Sequence, residues 1–378
     1  MRFVFVSEAG LVKGQPYSTR LHEVVEEAVF AEKMGFDVFG VSEQHFVKTA
    51  YTISAPEVLL GTIAHATNTI QLRHMSVVAL KFNHPIRIAE RLATLDILSK
   101  GRLEYGSARS NNINYLQTFG VDPTKTRGEW RETLEVSLRA LLQNPFEFHG
   151  EHYDIPPTEL NPKLYRAQCP PLFVSATSLE THRTAGKLGL GAMTFDNWFG
   201  WEYVEQCYAE YDRGLAEVEP IGNLYEPTRS KSMLAFPAHC AATREQAFAE
   251  ARLVAEGILA VVIDQYLALA AGGGKDYAYL KQMKELEAHK TNIEYVMQLS
   301  PGIMIGTPDD CIARIRQYEQ LGADEVLCRI DGMGHQVNLR SLEMFGKYVI
   351  PAFRNPGCIP SSNDWEDLGL KNIPEFSL

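Results

Sequence analysis

The sequence has no dinucleotide fingerprint. Gly186, Gly189 and Gly191 are wrongly spaced for G-x-G-x-x-G, Gly332-Met333-Gly334 lacks the third glycine, and Gly272-Gly273-Gly274-Lys275-Asp276 makes no P-loop. A Rossmann site for a nicotinamide cofactor is therefore not expected. Positive charge is also scarce: 36 Lys+Arg against 47 Asp+Glu give a formal net charge of -11, which opposes binding to nucleic acid and to anionic lipid. No run is expected to supply the ~20 apolar residues that a membrane span requires. The opening MRFVFVSEAG has one basic residue and a short apolar run ended by Glu8, so it reads as a first β-strand and not as a signal peptide. The six cysteines (Cys169, Cys207, Cys240, Cys311, Cys328, Cys358) form no Cys-x-x-Cys pair, and reduced thiols in a cytoplasmic protein are the expectation. His-Glu-x-x-His is missing as well. His149-Gly150-Glu151-His152 lies in a hairpin-like stretch, where a zinc site is disfavoured.

What is present is an ordinary globular composition, 45% hydrophobic and 22% charged over 378 residues, enough for a substantial core. Short β-rich runs alternate with amphipathic helical runs. Strands are predicted at 3–7, 36–41, 70–80, 103–108, 172–176, 192–195 and 325–330, and helices at 19–34, 56–66, 85–98, 180–188, 203–216 and 308–321. Strands separated repeatedly by helices predict a parallel sheet with helices outside, and the length favours a single α/β domain, a (β/α)8 TIM barrel. Two segments exceed simple βα units. Residues 144–168 hold a hairpin (146–155) and a Pro-rich loop, and residues 271–301 contain a glycine break (272–274) and are expected to form a mobile lid.

In such barrels the reactive groups stand at the C-terminal ends of the strands. Three strand ends are rich in polar residues: Ser42-Glu43-Gln44-His45-Phe46, Ser107-Ala108-Arg109-Ser110-Asn111-Asn112 with Arg127 beyond, and Ser175-Ala176-Thr177-Ser178-Leu179-Glu180-Thr181. The last can hold a phosphate, because unpaired N–H groups at a helix start, hydroxyl donors and a nearby arginine all favour a dianion. Ser178 read alone is equally a helix N-cap. Phe82, Tyr115, Phe195 and Trp198 are candidates for an apolar lining.

Together these motifs resemble the bacterial luciferase-like family of flavin-dependent monooxygenases. The likeness runs from Met1 to about Trp198. It is carried by Gly35-Phe36-Asp37, Glu43-Gln44-His45-Phe46, His84-Pro85-Ile86-Arg87, the run 95–102 (LDILSKGR), Phe119-Gly120 and Ala176-Thr177-Ser178, with an echo at Gly306-Thr307-Pro308 and Gly322-Ala323-Asp324-Glu325. The resemblance implies an FMN phosphate site on Arg109, Asn112, Arg127, Thr177, Ser178 and Thr181. It also implies a non-proline cis peptide at Ser76-Val77 under the flavin, a bond that costs roughly 3 kcal/mol. Two departures stand out. Gln44 replaces the first of the family's paired histidines, leaving His45 as the catalytic candidate beside it, and Ala108 stands where luciferase has a reactive cysteine. Gln44 can hydrogen-bond but cannot transfer a proton.

The implied activity is that of a two-component monooxygenase. Reduced FMN, supplied by a separate flavin reductase, would react with O2 to a C4a-hydroperoxyflavin that oxygenates a small organic substrate, and the assembly would be a homodimer. The alternatives are hydride transfer with the deazaflavin F420 and a non-catalytic flavin-binding partner subunit.

Overall fold

The computed structural model describes residues 1–47, 52–110, 112–195 and 197–354. Its strands are β1 (Arg2–Val6), β2 (Val38–Ser42), β3 (Gln71–Val78), β4 (Leu103–Ala108), β5 (Phe146–His149), β6 (Asp154–Thr158), β7 (Leu172–Ala176), β8 (Gly191–Thr194), β9 (Lys231–Ala235), β10 (Ala238–Cys240), β11 (Met304–Gly306) and β12 (Glu325–Arg329). Eight of them close into a parallel barrel in the order β1-β12-β9-β8-β7-β4-β3-β2. The fold is the expected (β/α)8 TIM barrel. Alternation along each strand sorts its side chains: Phe3 and Phe5 pack outward on the helices, while Val4 and Val6 pack inward with Met75, Phe173, Met193 and Leu327.

The helices are α1 (Tyr17–Lys33), α2 (Pro56–Ala66), α3 (Pro85–Leu98), α4 (Ile113–Thr118), α5 (Thr126–Leu142), α6 (Leu179–Leu188), α7 (Trp201–Leu215), α8 (Arg244–Gly272), α9 (Met283–Glu287), α10 (Ile293–Leu299), α11 (Pro308–Leu321) and α12 (His335–Met344). Their ends follow local chemistry. Proline opens α2, α3 and α11, where its missing N–H costs nothing. Thr307 and Asp310 form a capping box on α11, and Gly322 ends it at φ 93°, a conformation open to glycine.

Both surplus segments lie outside the barrel order. β5 and β6 pair as the predicted antiparallel hairpin, across which His149 contacts Asp154 at 2.5 Å. Between β9 and β12 the chain makes a parallel pair, β10 with β11, joined by α8 and the short helices α9 and α10. At 29 residues α8 is long and apolar enough, by length and composition, to cross a membrane, which corrects the expectation that no run would be. Here one side of it is a core face: Ala247, Ala251, Ala255, Leu259, Val262, Tyr266 and Leu269 are buried.

The barrel lumen is layered. At its N-terminal end Arg73 reaches Glu104 at 2.6 Å and Glu325 at 2.9 Å, with Arg2 on the same two carboxylates and the Ser232 hydroxyl donating to Glu325 at 2.8 Å. Register explains the cluster, because Arg2 lies beside Glu325, Arg73 beside Glu104, and Glu325 beside Ser232. The apolar layer follows, and then the open mouth. Between these levels β3 slips register against both neighbours, so Arg73 and Met75 face the lumen and, after the slip, Ser76 and Val78 do too. Gly106 of β4 permits this, since a Cβ there would meet the Met75 carbonyl oxygen at 2.2 Å. The same slip corrects the expected cis peptide. The cis bonds among the described residues precede Pro145, Pro162 and Pro237, and Ser76-Val77 is not one of them.

Candidate active site

A cavity of about 1050 Å³, open mouth included, occupies the C-terminal end of the barrel. Its polar lining comes from Glu8 after β1, Ser42 at the end of β2, Gln44 after it, Ser76 on β3, Arg109 after β4, Thr177 after β7 and Arg329 at the end of β12. Its apolar and aromatic lining comes from Phe195, Trp198, Leu234 and Phe236 of the barrel, Val262 and Tyr266 of α8, and Tyr277, Tyr279 and Leu280 of the segment beyond it. The segment predicted as a lid therefore supplies part of the wall.

Arg109 is held beside the Tyr277 ring, its guanidinium 5.5 Å from the ring centroid, and its Nη1 is buried with no hydrogen-bond partner among the described residues. Thr177 stands on the same wall and accepts a hydrogen bond from the Tyr279 hydroxyl at 2.9 Å. A buried guanidinium N–H without a partner, next to a hydroxyl at the N-terminal approach of α6, fits the phosphate end of a flavin.

Other predicted phosphate ligands are engaged elsewhere. The Ser178 hydroxyl caps α6, accepting from the Thr181 N–H at 3.2 Å and lying 2.9 Å from the Thr181 hydroxyl. Arg127 contacts Glu180 at 2.7 Å and Asp276 at 3.2 Å, so it stands at the first turn of α6 with its charge already paired. Asn112 caps α4, its side-chain oxygen accepting from the Asn114 and Tyr115 N–H groups. Val77 packs outward against the helices. Beneath the α6 cap, buried His182 meets the Ser178 carbonyl through Nδ1 at 2.9 Å and Thr194 through Nε2 at 3.0 Å. A carbonyl only accepts, so Nδ1 carries the proton. Burial pushes this imidazole down to about 4, keeping it neutral.

The pair Gln44 and His45 is split. Gln44 lines the cavity and His45 does not. His45 turns into an aromatic cluster, edge-on to Tyr115 at 4.7 Å and to Phe119 at 5.2 Å, and meets Glu43 at 3.1 Å. Glu43 is saturated, for it also accepts from the Val78 N–H at 2.9 Å, from Asn83 at 3.2 Å and from the Tyr115 hydroxyl at 3.4 Å. It thus locks the end of β2 to the end of β3. Phe82 and Tyr115, candidates for the lining, belong to this cluster, whereas Phe195 and Trp198 reach the cavity as expected.

Two lining groups escaped sequence reasoning although the strand-end rule covers them: Glu8 and Arg329. Glu8 read merely as the polar stop of the first strand. Glu8 is 4% exposed and its Oε2 has no partner among the described residues. Arg329 donates to Asp331 at 2.8 Å and lies 3.7 Å from the Phe236 ring centroid, while Asp331 accepts from the Glu8 N–H at 2.7 Å.

Residues 1–325 match the family described as luciferase-like monooxygenase. The chain belongs to that family. Among relatives of this luciferase-like chain is the 4-hydroxyprotoasukamycin monooxygenase of Streptomyces nodosus, 26% identical over 90% of this chain and 89% of the relative. The oxygenase component of the flavin-dependent trigonelline monooxygenase of Acinetobacter baylyi is 25% identical over 93% and 96%. Solved structures share the fold. The oxygenating constituent of 3,6-diketocamphane monooxygenase from Pseudomonas putida, in complex with FMN, superposes with a TM-score of 0.72 at 19% identity, covering 93% of this chain and 98% of that one. The F420-dependent tetrahydromethanopterin reductase of Methanopyrus kandleri gives 0.64 at 17% identity over 93% and 99%.

Proposed function

We propose that this luciferase-like chain is the oxygenase component of a two-component monooxygenase, using reduced FMN from a separate flavin reductase and O2 to oxygenate a small, largely apolar organic compound. The observation that carries the reading is the buried Nη1 of Arg109, without a partner among the described residues, in a cavity lined by both polar and aromatic side chains. When bound, reduced FMN supplies the electrons that activate O2. The residues of the chain bind, orient and exclude water. Arg109 holds the phosphate with Thr177 and the amides at the start of α6. Gln44, at the first of the family's paired histidine positions, offers a hydrogen bond. His45 acts as a positioning residue by fixing Glu43, and the wall of Phe195, Trp198 and Tyr277 keeps water out.

The test is a titration of the protein with reduced FMN, riboflavin and F420. Arg109→Ala should weaken reduced FMN about tenfold or more, since charge-assisted bonds contribute roughly 1.5 to 3 kcal/mol, and should barely change riboflavin. Equal losses would place the phosphate elsewhere. Tighter binding of F420 than of FMN would replace oxygenation with hydride transfer. The missing dinucleotide fingerprint adds a second check: the chain with NADH and FMN should consume O2 no faster than a blank until a flavin reductase is added.

A further inference from the structure

Among the carboxylates lining the cavity, Glu43 has all its acceptor positions in use and Glu8 does not. Glu8 is fixed from behind, its N–H held by Asp331 and its carbonyl oxygen by the Thr52 N–H at 2.9 Å, so the side chain projects into the cavity from a rigid strand end. A buried carboxyl oxygen without a partner is costly to keep. It persists most simply where a ligand completes it. We propose that Glu8 is the specificity-determining hydrogen-bond acceptor for the substrate, and selects neutral, ring-bearing compounds that present an O–H or N–H donor. This rests on the reading of the cavity as the site of oxygenation.

The surroundings narrow the class. Arg329 is already paired with Asp331, so a carboxylate gains no uncommitted counter-charge beside Glu8, while an ammonium group would be desolvated next to a carboxyl that burial holds near neutrality. The same cavity is lined by Phe195, Trp198, Phe236 and Tyr266, which suit the faces of a planar apolar body. A phenol or hydroxylated bicycle answers both the acceptor and the aromatic lining. The groups acting most strongly on Glu8 are Arg329 and Asp331 from the β12 end and Ser42 from β2. Burial outweighs them and pushes the carboxyl up to about 7.

The experiment measures binding of naphthol and of its methyl ether, equal in body but lacking the donor, to flavin-free full-length protein by fluorescence. Wild type should prefer naphthol by about tenfold to a hundredfold. Glu8→Leu should abolish the preference and leave the ether within a few-fold, Glu8→Gln should keep a reduced one, and in wild type the preference should shrink as pH falls through about 7. If wild type binds both alike, binds neither, or Glu8→Leu keeps the preference, the assignment is overturned. Titrating the same samples with reduced FMN separates the two readings, because failure of the flavin reading appears there while the naphthol preference stands.

Discussion

At the residue scale, the same side-chain chemistry serves two ends, and this decides what could be read from the sequence. Thr177 and Arg109 were legible as site residues because strand ends converge on the barrel mouth. Ser178, Thr181 and Asn112 have the same hydroxyl and amide groups but spend them on helix caps, a choice set by backbone geometry that no string of letters displays. The orientation of Gln44 and His45 is likewise set by tertiary contacts with Glu43 and Tyr115. Two outcomes follow from these placements. Gln44→Ala should divert O2 consumption toward hydrogen peroxide, about tenfold by the worth of one hydrogen bond, and His45→Ala should uncouple less, as read by peroxide formed per O2 consumed. A larger effect at His45 would mean that the imidazole swings into the cavity. Glu8 also has a stability signature. Its folded pKa lies above the ordinary carboxylate value, so the folded chain holds a proton the unfolded chain releases. Its cost is absent below about pH 4 and grows until pH passes about 7. Glu8→Gln should therefore stabilise the protein by up to about 3 kcal/mol at about pH 8 and by little at about pH 4 in urea unfolding.

At the scale of elements, helices opened by proline were located to the residue, as at Pro56, Pro85 and Pro308, because a rigid ring and a missing N–H mark one position. What escaped was short or lacked a period. β9 is five residues between loops, β10 and β11 are three each, and apolar residues on all sides of α8 obscure the amphipathic stripe that identifies a surface helix. The segment after α8 was readable as surplus but not as cavity wall, since Tyr277 and Tyr279 reach the mouth only once α8 has carried the chain back across it. Arg127 ties this segment to the barrel through Asp276 and to α6 through Glu180. If the segment opens to admit ligands, Lys275 and Lys281, both exposed, are where trypsin should cut the free protein first. Reduced FMN should slow that cut and Arg127→Ala should hasten it. First cleavage elsewhere, indifferent to ligand, would show a fixed wall.

For the whole molecule, the barrel separates stability from chemistry along its axis. The mouth carries unpartnered polar groups, Glu8 Oε2 and Arg109 Nη1, whereas the opposite end is closed by a cluster in which Arg73 uses all its nitrogens on Glu104 and Glu325 and lies 3.7 Å from the Phe173 ring centroid. Burial alone would raise Glu325, but Arg73, Arg2 and Ser232 outweigh it and hold the carboxyl well below the usual range. A lowered folded pKa gives stability that is present above the ordinary carboxylate value and is lost as pH falls below it, so this end of the barrel should be the acid-sensitive one. Replacing one member exposes the balance. Arg73→Met fills a similar volume yet leaves two carboxylates buried and poorly compensated, a loss of about 3 to 5 kcal/mol. Adding Glu104→Gln and Glu325→Gln to Arg73→Met should recover much of that loss, because the charges that made it costly are gone. Urea unfolding measures both. Reduced FMN binding per folded molecule should be unchanged in each, since the cluster lies at the far end of the lumen, beyond the apolar layer of Val4, Met75 and Leu327. A change in FMN affinity that tracks the stability loss would show that the two ends of the barrel are coupled and that this division of labour is wrong.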